Sequence, residues 1–246
     1  MSLSDDPRGL SVVITVLNEA ENVADVARET LAALAAIPAF EIVFVDDGST
    51  DDTAARIRAL GDPRIRLVRH ATRCGKSQAV RTGVVAAQAR WIGTMDGDGQ
   101  NDPKDLLGMA QAAWAHAPGP QGHSPLVAGV RTRRHDPLSR RIATRIGNGF
   151  RQLVLNDGCP DTGCGLKLFE RDAFLKLPVF EGMHRFLPAL FKTYGHPLIN
   201  YEVNHRPRAA GRSKYTNIGR ALVGVVDVMG VVWLRARTRA PRLRAD

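Results

Sequence analysis

Two carboxylates stand two residues apart in Asp96-Gly97-Asp98-Gly99-Gln100, directly after the apolar run Trp91–Met95. Side chains alternate along a strand, so residues two apart at its end can point the same way. Like charges that close are costly unless a cation neutralises them. An all-oxygen donor set favours Mg²⁺ or Mn²⁺, with a nucleotide diphosphate completing the shell. The neighbouring glycines let a ligand approach the backbone. The plainer alternatives are a polar turn and a calcium loop. An EF-hand loop needs Gly at 101 and Glu at 107, where Asn101 and Leu107 stand, and is excluded.

A second acidic cluster, Val45-Asp46-Asp47-Gly48-Ser49-Thr50-Asp51, also closes an apolar run. A carboxylate there can accept hydrogen bonds from a nucleobase edge. For Asp51 and Asp52 a helix-capping role is the simpler reading. Gly75-Lys76-Ser77 resembles the end of a Walker A loop, but His70 stands where that motif needs Gly. Lys76 at a helix start can meet a phosphate or the sugar, or simply face solvent.

These residues need elements to hold them. Ser11–Val16, Glu41–Val45, Arg64–Val68, Trp91–Met95 and Leu126–Val130 read as strands. Between them lie helical stretches: one carrying Val23, Val26, Ala27, Leu31 and Leu34 on one face, a second capped by Ser49 with Asp52 in a capping-box position, a third over Ser77–Ala89, and a fourth opened by Asp102-Pro103. Repeated strand–helix units imply an α/β fold with a mostly parallel central sheet and helices on both faces. Ligands of such sheets sit beyond the carboxyl ends of the strands, where the acidic clusters fall. Later come an arginine-rich helical stretch over Arg131–Arg151, a short strand Leu166–Phe169 and a helix near Arg185–Tyr194.

The 246 residues suffice for one large domain, read as 1–215, followed by a basic amphipathic helix and tail, 216–246. Of the net charge of +9, the segment from His205 onward carries +8, so the body is nearly neutral. The N-terminus lacks the basic start and apolar stretch of a secretory signal, and Cys74, Cys159 and Cys164 fit neither a disulfide framework nor a zinc template, which points to reduced cytosolic thiols. The basic end suits anionic lipid or nucleic acid, but no nucleic-acid motif is present, and nucleic acid is not an expected partner.

Together the segments Thr15-Val16-Leu17-Asn18-Glu19, Val45–Asp51, Gly75–Gly83, Asp96–Pro103, Gly163–Phe169 and His205–Tyr215 resemble family 2 glycosyltransferases, and within them the polyprenyl-phosphate group that includes dolichol-phosphate mannose synthase. The resemblance implies a GT-A (Rossmann-like) nucleotide-diphospho-sugar transferase fold. It also implies that Leu17, Glu19, Val45 and Asp47 line a nucleoside pocket, and that Asp96, Asp98 and Gln100 handle metal and diphosphate. Arg131, Arg208 and Lys214 would then meet phosphates of donor or acceptor. The family usually has Pro where Thr15 stands. Gln88-Ala89-Arg90-Trp91 has the wrong spacing for the motif of processive synthases, which argues against polymer synthesis.

The implied reaction is an inverting transfer of a hexose from a GDP- or UDP-linked sugar to a dolichyl or undecaprenyl phosphate, with Asp98 and Arg131 catalytic. A phosphate monoester has a second pKa near ~6 and is already an oxyanion, so it needs cations more than a base. If a base is used, Asp161 is the candidate. The alternative is a non-processive family 2 enzyme acting on a glycan or other hydroxyl. The apolar stretch Ala221–Leu234 is 14 residues long, short of the roughly 20 that span a bilayer. With Trp233 and Arg235, Arg237 and Arg239 beside it, it reads as an interfacial helix at the cytoplasmic face of the plasma (inner) membrane, or as a terminal helix packed on the core. The expected localisation is thus peripheral to that membrane or otherwise cytoplasmic, and an oligomer is compatible with the sequence.

Overall fold

A computed structural model describes residues 3–116, 122–132, 138–207 and 217–239. Seven strands form one sheet: β1 (Leu10–Val16), β2 (Phe40–Asp46), β3 (Ile65–Arg69), β4 (Trp91–Asp96), β5 (Leu126–Arg131), β6 (Lys167–Glu170) and β7 (Leu198–Val203), in the order β3-β2-β1-β4-β6-β5-β7. Strand β6 runs antiparallel to β4 and β5, and the other pairings are parallel. The helices are α1 (Val23–Ala33), α2 (Thr53–Arg58), α3 (Lys76–Ala86), α4 (Lys104–Ala115), α5 (Leu138–Leu155), α6 (Arg171–Leu175), α7 (Leu187–Thr193) and α8 (Asn217–Arg237).

Alternation within the strands divides the core between the two faces of the sheet. Val12, Ile14 and Val16 of β1 join Ile42 and Phe44 of β2 against Val23 and Val26 of α1 and Leu106 and Met109 of α4. Val13, Val43 and Val45 face the other way, toward Ala79 and Val80 of α3, Leu190 and Phe191 of α7, and Val228 and Val231 of α8. Burying side chains of this size stabilises by about 1.5–3 kcal/mol each, which explains why β1 and β2 read as near-continuous apolar runs. Helix α3 lies so close to β1 that a Cβ on Gly83 would come within 2.3 Å of Val13 Cγ1.

Parallel pairing puts the carboxyl ends of β1, β2 and β4 level: Thr15 pairs with Asp96, and Val16 with Asp46. Three details correct or refine the sequence reading. Helix α2 begins at Thr53, and Ser49 does not cap it; its Oγ accepts the Asn18 N–H at 2.8 Å instead, tying the β1–α1 turn to the β2–α2 turn. The helix expected near 185–194 is present as α7, with a 3-10 turn at Met183–Arg185 before it. Strand β7 and helix α6 were not anticipated; β7 does alternate, with Ile199, Tyr201 and Val203 toward the core and Asn200 and Glu202 between them, whereas α6 is five residues long, too short to show a period.

Candidate active site

Strand β4 delivers Asp96 to the sheet edge, and the turn after it is tight: Asp96 N–H donates to Asn101 Oδ1 at 3.0 Å and Gly97 N–H to Thr15 O at 3.2 Å. Asp98 Oδ1 accepts the Gln100 N–H at 3.2 Å. Asp96 is about one-third exposed, and Lys76, the first residue of α3, forms an ion pair with its Oδ1. Burial alone would raise the Asp96 carboxyl, but Lys76, with Lys167 and Arg131 beyond it, outweighs that and holds it below the usual carboxylate range. The two carboxylates and the Gln100 amide are hard oxygen donors, and the charge on Asp96 is met in this structure by an ammonium. That donor chemistry fits Mg²⁺ or Mn²⁺.

Beside Asp96 runs the loop Asp161–Gly165. It passes so near that a Cβ on Gly165 would lie 2.6 Å from Asp96 Oδ2, and Thr94 Oγ1 donates to Gly165 O at 2.8 Å. Asp161 grips Arg131, the last residue of β5, in a fork: Nε to Oδ2 at 2.7 Å and Nη2 to Oδ1 at 2.9 Å. At 4% exposed, with both oxygens on the guanidinium, Asp161 has the geometry of a counter-ion that orients Arg131.

The sequence reading missed Lys167. It pairs with Thr94 in the sheet, is 4% exposed, and its ammonium donates to the Thr162 and Cys164 carbonyls at 3.2 and 2.5 Å. Burial pulls its pKa down. A signal was present: Lys167 interrupts the otherwise apolar Leu166–Phe169, as a charge kept for a specific partner does. Burial pushes the thiols of Cys159 and Cys164 up, so both pack as inert apolar groups.

On the β2 side, Asp47 is 5% exposed and accepts from Cys74 N–H at 2.8 Å, Gly75 N–H at 2.9 Å and His70 Nδ1 at 2.8 Å. Glu19 N–H donates to Thr53 Oγ1, and Glu19 Oε2 accepts from Asn22 Nδ2 at 2.7 Å. Leu17 stands half-buried at the end of β1. Val45, just before Asp46 and Asp47, has no exposed surface and packs against the second core face. Arg208 and Lys214 lie outside the described residues. The chain approaches them along the metal motif, since Asn101 bridges to His205 and Arg206 N–H donates to Gln100 O at 2.9 Å. Arg206 also pairs with Asp102 at 2.9 Å and with Glu29.

Against known proteins, residues 11–177 match the model of the family described as "Glycosyl transferase family 2". The chain is 30% identical over 231 residues to dodecaprenyl-phosphate galacturonate synthase of Rhizobium johnstonii, covering 91% of this chain and 66% of the relative. It is 31% identical over 216 residues to undecaprenyl-phosphate 4-deoxy-4-formamido-L-arabinose transferase of Pectobacterium carotovorum, covering 86% and 64%. The chain thus spans just under two thirds of the length of these relatives. Glucosyl-3-phosphoglycerate synthase from Mycobacterium tuberculosis, solved with Mn²⁺, UDP and phosphoglyceric acid, shares the fold at a TM-score of 0.68 and 19% identity over 96% of this chain and 81% of that one.

Proposed function

Because the chain belongs to glycosyl transferase family 2 and has its GT-A fold, we propose that it transfers a hexose, with inversion, from a nucleotide-diphosphate sugar to a polyprenyl phosphate. The observation that carries this reading is one edge of the sheet where Asp96 meets Lys76 from α3, with Arg131 of β5 near enough to act on its charge and Asp98 in the turn that follows. The names of the curated relatives support a polyprenyl-phosphate acceptor.

Asp96 and Asp98, with Gln100, would hold Mg²⁺ or Mn²⁺. A bound divalent cation supplies charge stabilisation for the departing nucleotide diphosphate. Lys76 moves between two anions, Asp96 and the donor's phosphate. Arg131, oriented by Asp161, presents a planar donor to phosphate, a geometry that lysine cannot copy. Since the acceptor is itself an oxyanion, no proton acceptor is assigned. Glu19, Asp47 and Leu17 border the nucleoside side, and Arg208 and Lys214 extend the phosphate-binding cations.

The same reading places the protein peripherally on the cytoplasmic membrane face. Helix α8 turns Val228 and Val231 to the core and leaves Val225, Val226, Met229 and Trp233 exposed. Helix α5, packed beside it, exposes Phe150, Leu153 and Val154. Arg235 of α8 donates to Leu155 O of α5, so the two exposed sets adjoin. An apolar ridge with arginines at its end suits an anionic lipid surface. Among the described residues no helix is long and apolar enough to cross a membrane.

The test is transfer of label. Incubating the protein with radiolabelled UDP- and GDP-sugars, Mn²⁺ and undecaprenyl phosphate should carry label into the organic phase, and omission of the lipid should abolish it. Label found instead on a soluble glycan acceptor would overturn the lipid assignment.

A further inference from the structure

Beside the oxygen-lined edge described above, the turn between β3 and α3 assembles a donor set of different chemistry. His70 follows β3 directly and Cys74 precedes α3. Their ligating atoms and an Asp47 oxygen all lie within 4.8 Å of one another. The supports that a ligand triad requires are already made. His70 Nε2 is 2.9 Å from Thr82 Oγ1, which fixes the ring with Nδ1 toward Asp47. The Asp47 carboxylate is held by the Cys74 and Gly75 N–H groups. Cys74 is exposed, and its Sγ rests on Thr72 O at 3.3 Å, where a single side-chain rotation redirects it.

We propose that Asp47, His70 and Cys74 form a second cation site, selective for a borderline-soft ion such as Zn²⁺. Oxygen, imidazole and thiolate donors together suit Zn²⁺ and Cd²⁺, whereas Mg²⁺ and Mn²⁺ prefer oxygen alone. In a tetrahedral zinc site with bonds of about 2.0–2.3 Å, neighbouring donors stand roughly 3.3–3.8 Å apart. The His70 Nδ1 to Asp47 Oδ1 contact of 2.8 Å therefore opens by roughly half an ångström, and the ion takes the Nδ1 lone pair of the neutral tautomer whose proton sits on Nε2, donated to Thr82 Oγ1. The thiol of Cys74 gives up its proton and closes the third side. The fourth position remains for water. Thr82 acts through His70 as an orienting residue. On the reading that Asp47 meets the nucleobase, an ion at this site competes with the donor, so trace zinc would restrain the enzyme while Mg²⁺ or Mn²⁺ supports it.

Titration of the reduced, nucleotide-free protein with Cd²⁺, followed by the ultraviolet cadmium–thiolate band, tests the site without any assay of transfer. One equivalent per chain should saturate the band, and Cys74→Ser should lose it. Thr82→Val, which leaves all three ligands in place, should weaken Cd²⁺ binding about tenfold or more. A wild-type protein with no band, or a band undiminished in Cys74→Ser, overturns the proposal. Repeating the titration with UDP or GDP present separates the two readings. Mutual displacement supports both, and a band indifferent to nucleotide keeps the metal site but removes Asp47 from the nucleoside pocket.

Discussion

At the scale of single residues, the account rests on how few charges share the sheet edge. Asp98 lies half-buried in the turn after β4 and accepts the Gln100 N–H, so Asp98→Ala should lower kcat by roughly 10²–10³-fold, the cost of removing one stabiliser of developing charge, while stability changes by no more than about 0.5–1.5 kcal/mol, the worth of a hydrogen bond. Steady-state rates and thermal melts on one preparation check both halves. Arg131→Lys breaks the fork on Asp161. With charged hydrogen bonds worth about 1.5–3 kcal/mol, kcat/KM should fall roughly 10–100-fold; an unchanged value would show that Arg131 meets no phosphate. The carboxylate pair at 96 and 98 was legible in the sequence because strand alternation and like-charge repulsion need no tertiary information. Val45 and Asp161 were not. The family resemblance implied a ligand contact for Val45, while strand alternation turns its side chain into the core with Val13 and Val43. The partner that commits Asp161 lies 30 residues away in sequence.

At the scale of elements, the loop Asp161–Gly165 is the part whose position decides the most. It is held from below by Lys167 and from behind by Arg151, which pairs with the buried Asp157 at 3.1 Å and donates to Cys159 O. Replacing Lys167 by Met removes both carbonyl anchors but also a costly buried charge. The fold should therefore survive, with kcat reduced about tenfold or more as the loop loses its register against Asp96. Chemical denaturation together with kinetics would separate this from a general loss of stability. The direction of β6, which supports the loop, could not be read from the sequence. An isolated four-residue strand can pair either way, and its antiparallel direction shows only once it lies between β4 and β5. The parallel β1–β4 frame was legible, because each crossover there is a helix with its own apolar stripe.

At the scale of the whole molecule, α8 docks through Val228 and Val231, with its one acidic residue beside them. Asp227 faces Gly182, and burial raises its pKa, with Arg185 opposing that shift. A carboxyl raised on folding contributes most when protonated, so its burden is felt above the raised value and disappears below about pH 4, where the unfolded chain is protonated too. Asp227→Asn should therefore raise Tm at neutral pH, and the difference should vanish in acid. On the outer side, Val226→Glu places a charge in the ridge and should reduce co-sedimentation with anionic vesicles while leaving the melt unchanged. The apolar stretch of α8 and its flanking arginines were legible in the sequence, but the neighbouring apolar surface of α5 was not, since Phe150, Leu153 and Val154 become neighbours of α8 only after packing. All of these readings depend on the strand-end pair. Calorimetric titration of Mn²⁺ in the presence of UDP or GDP tests that most directly. The account predicts binding of one ion, strengthened by one of the nucleotides and lost in Asp98→Ala; no nucleotide-linked binding, or binding indifferent to Asp98, would contradict it.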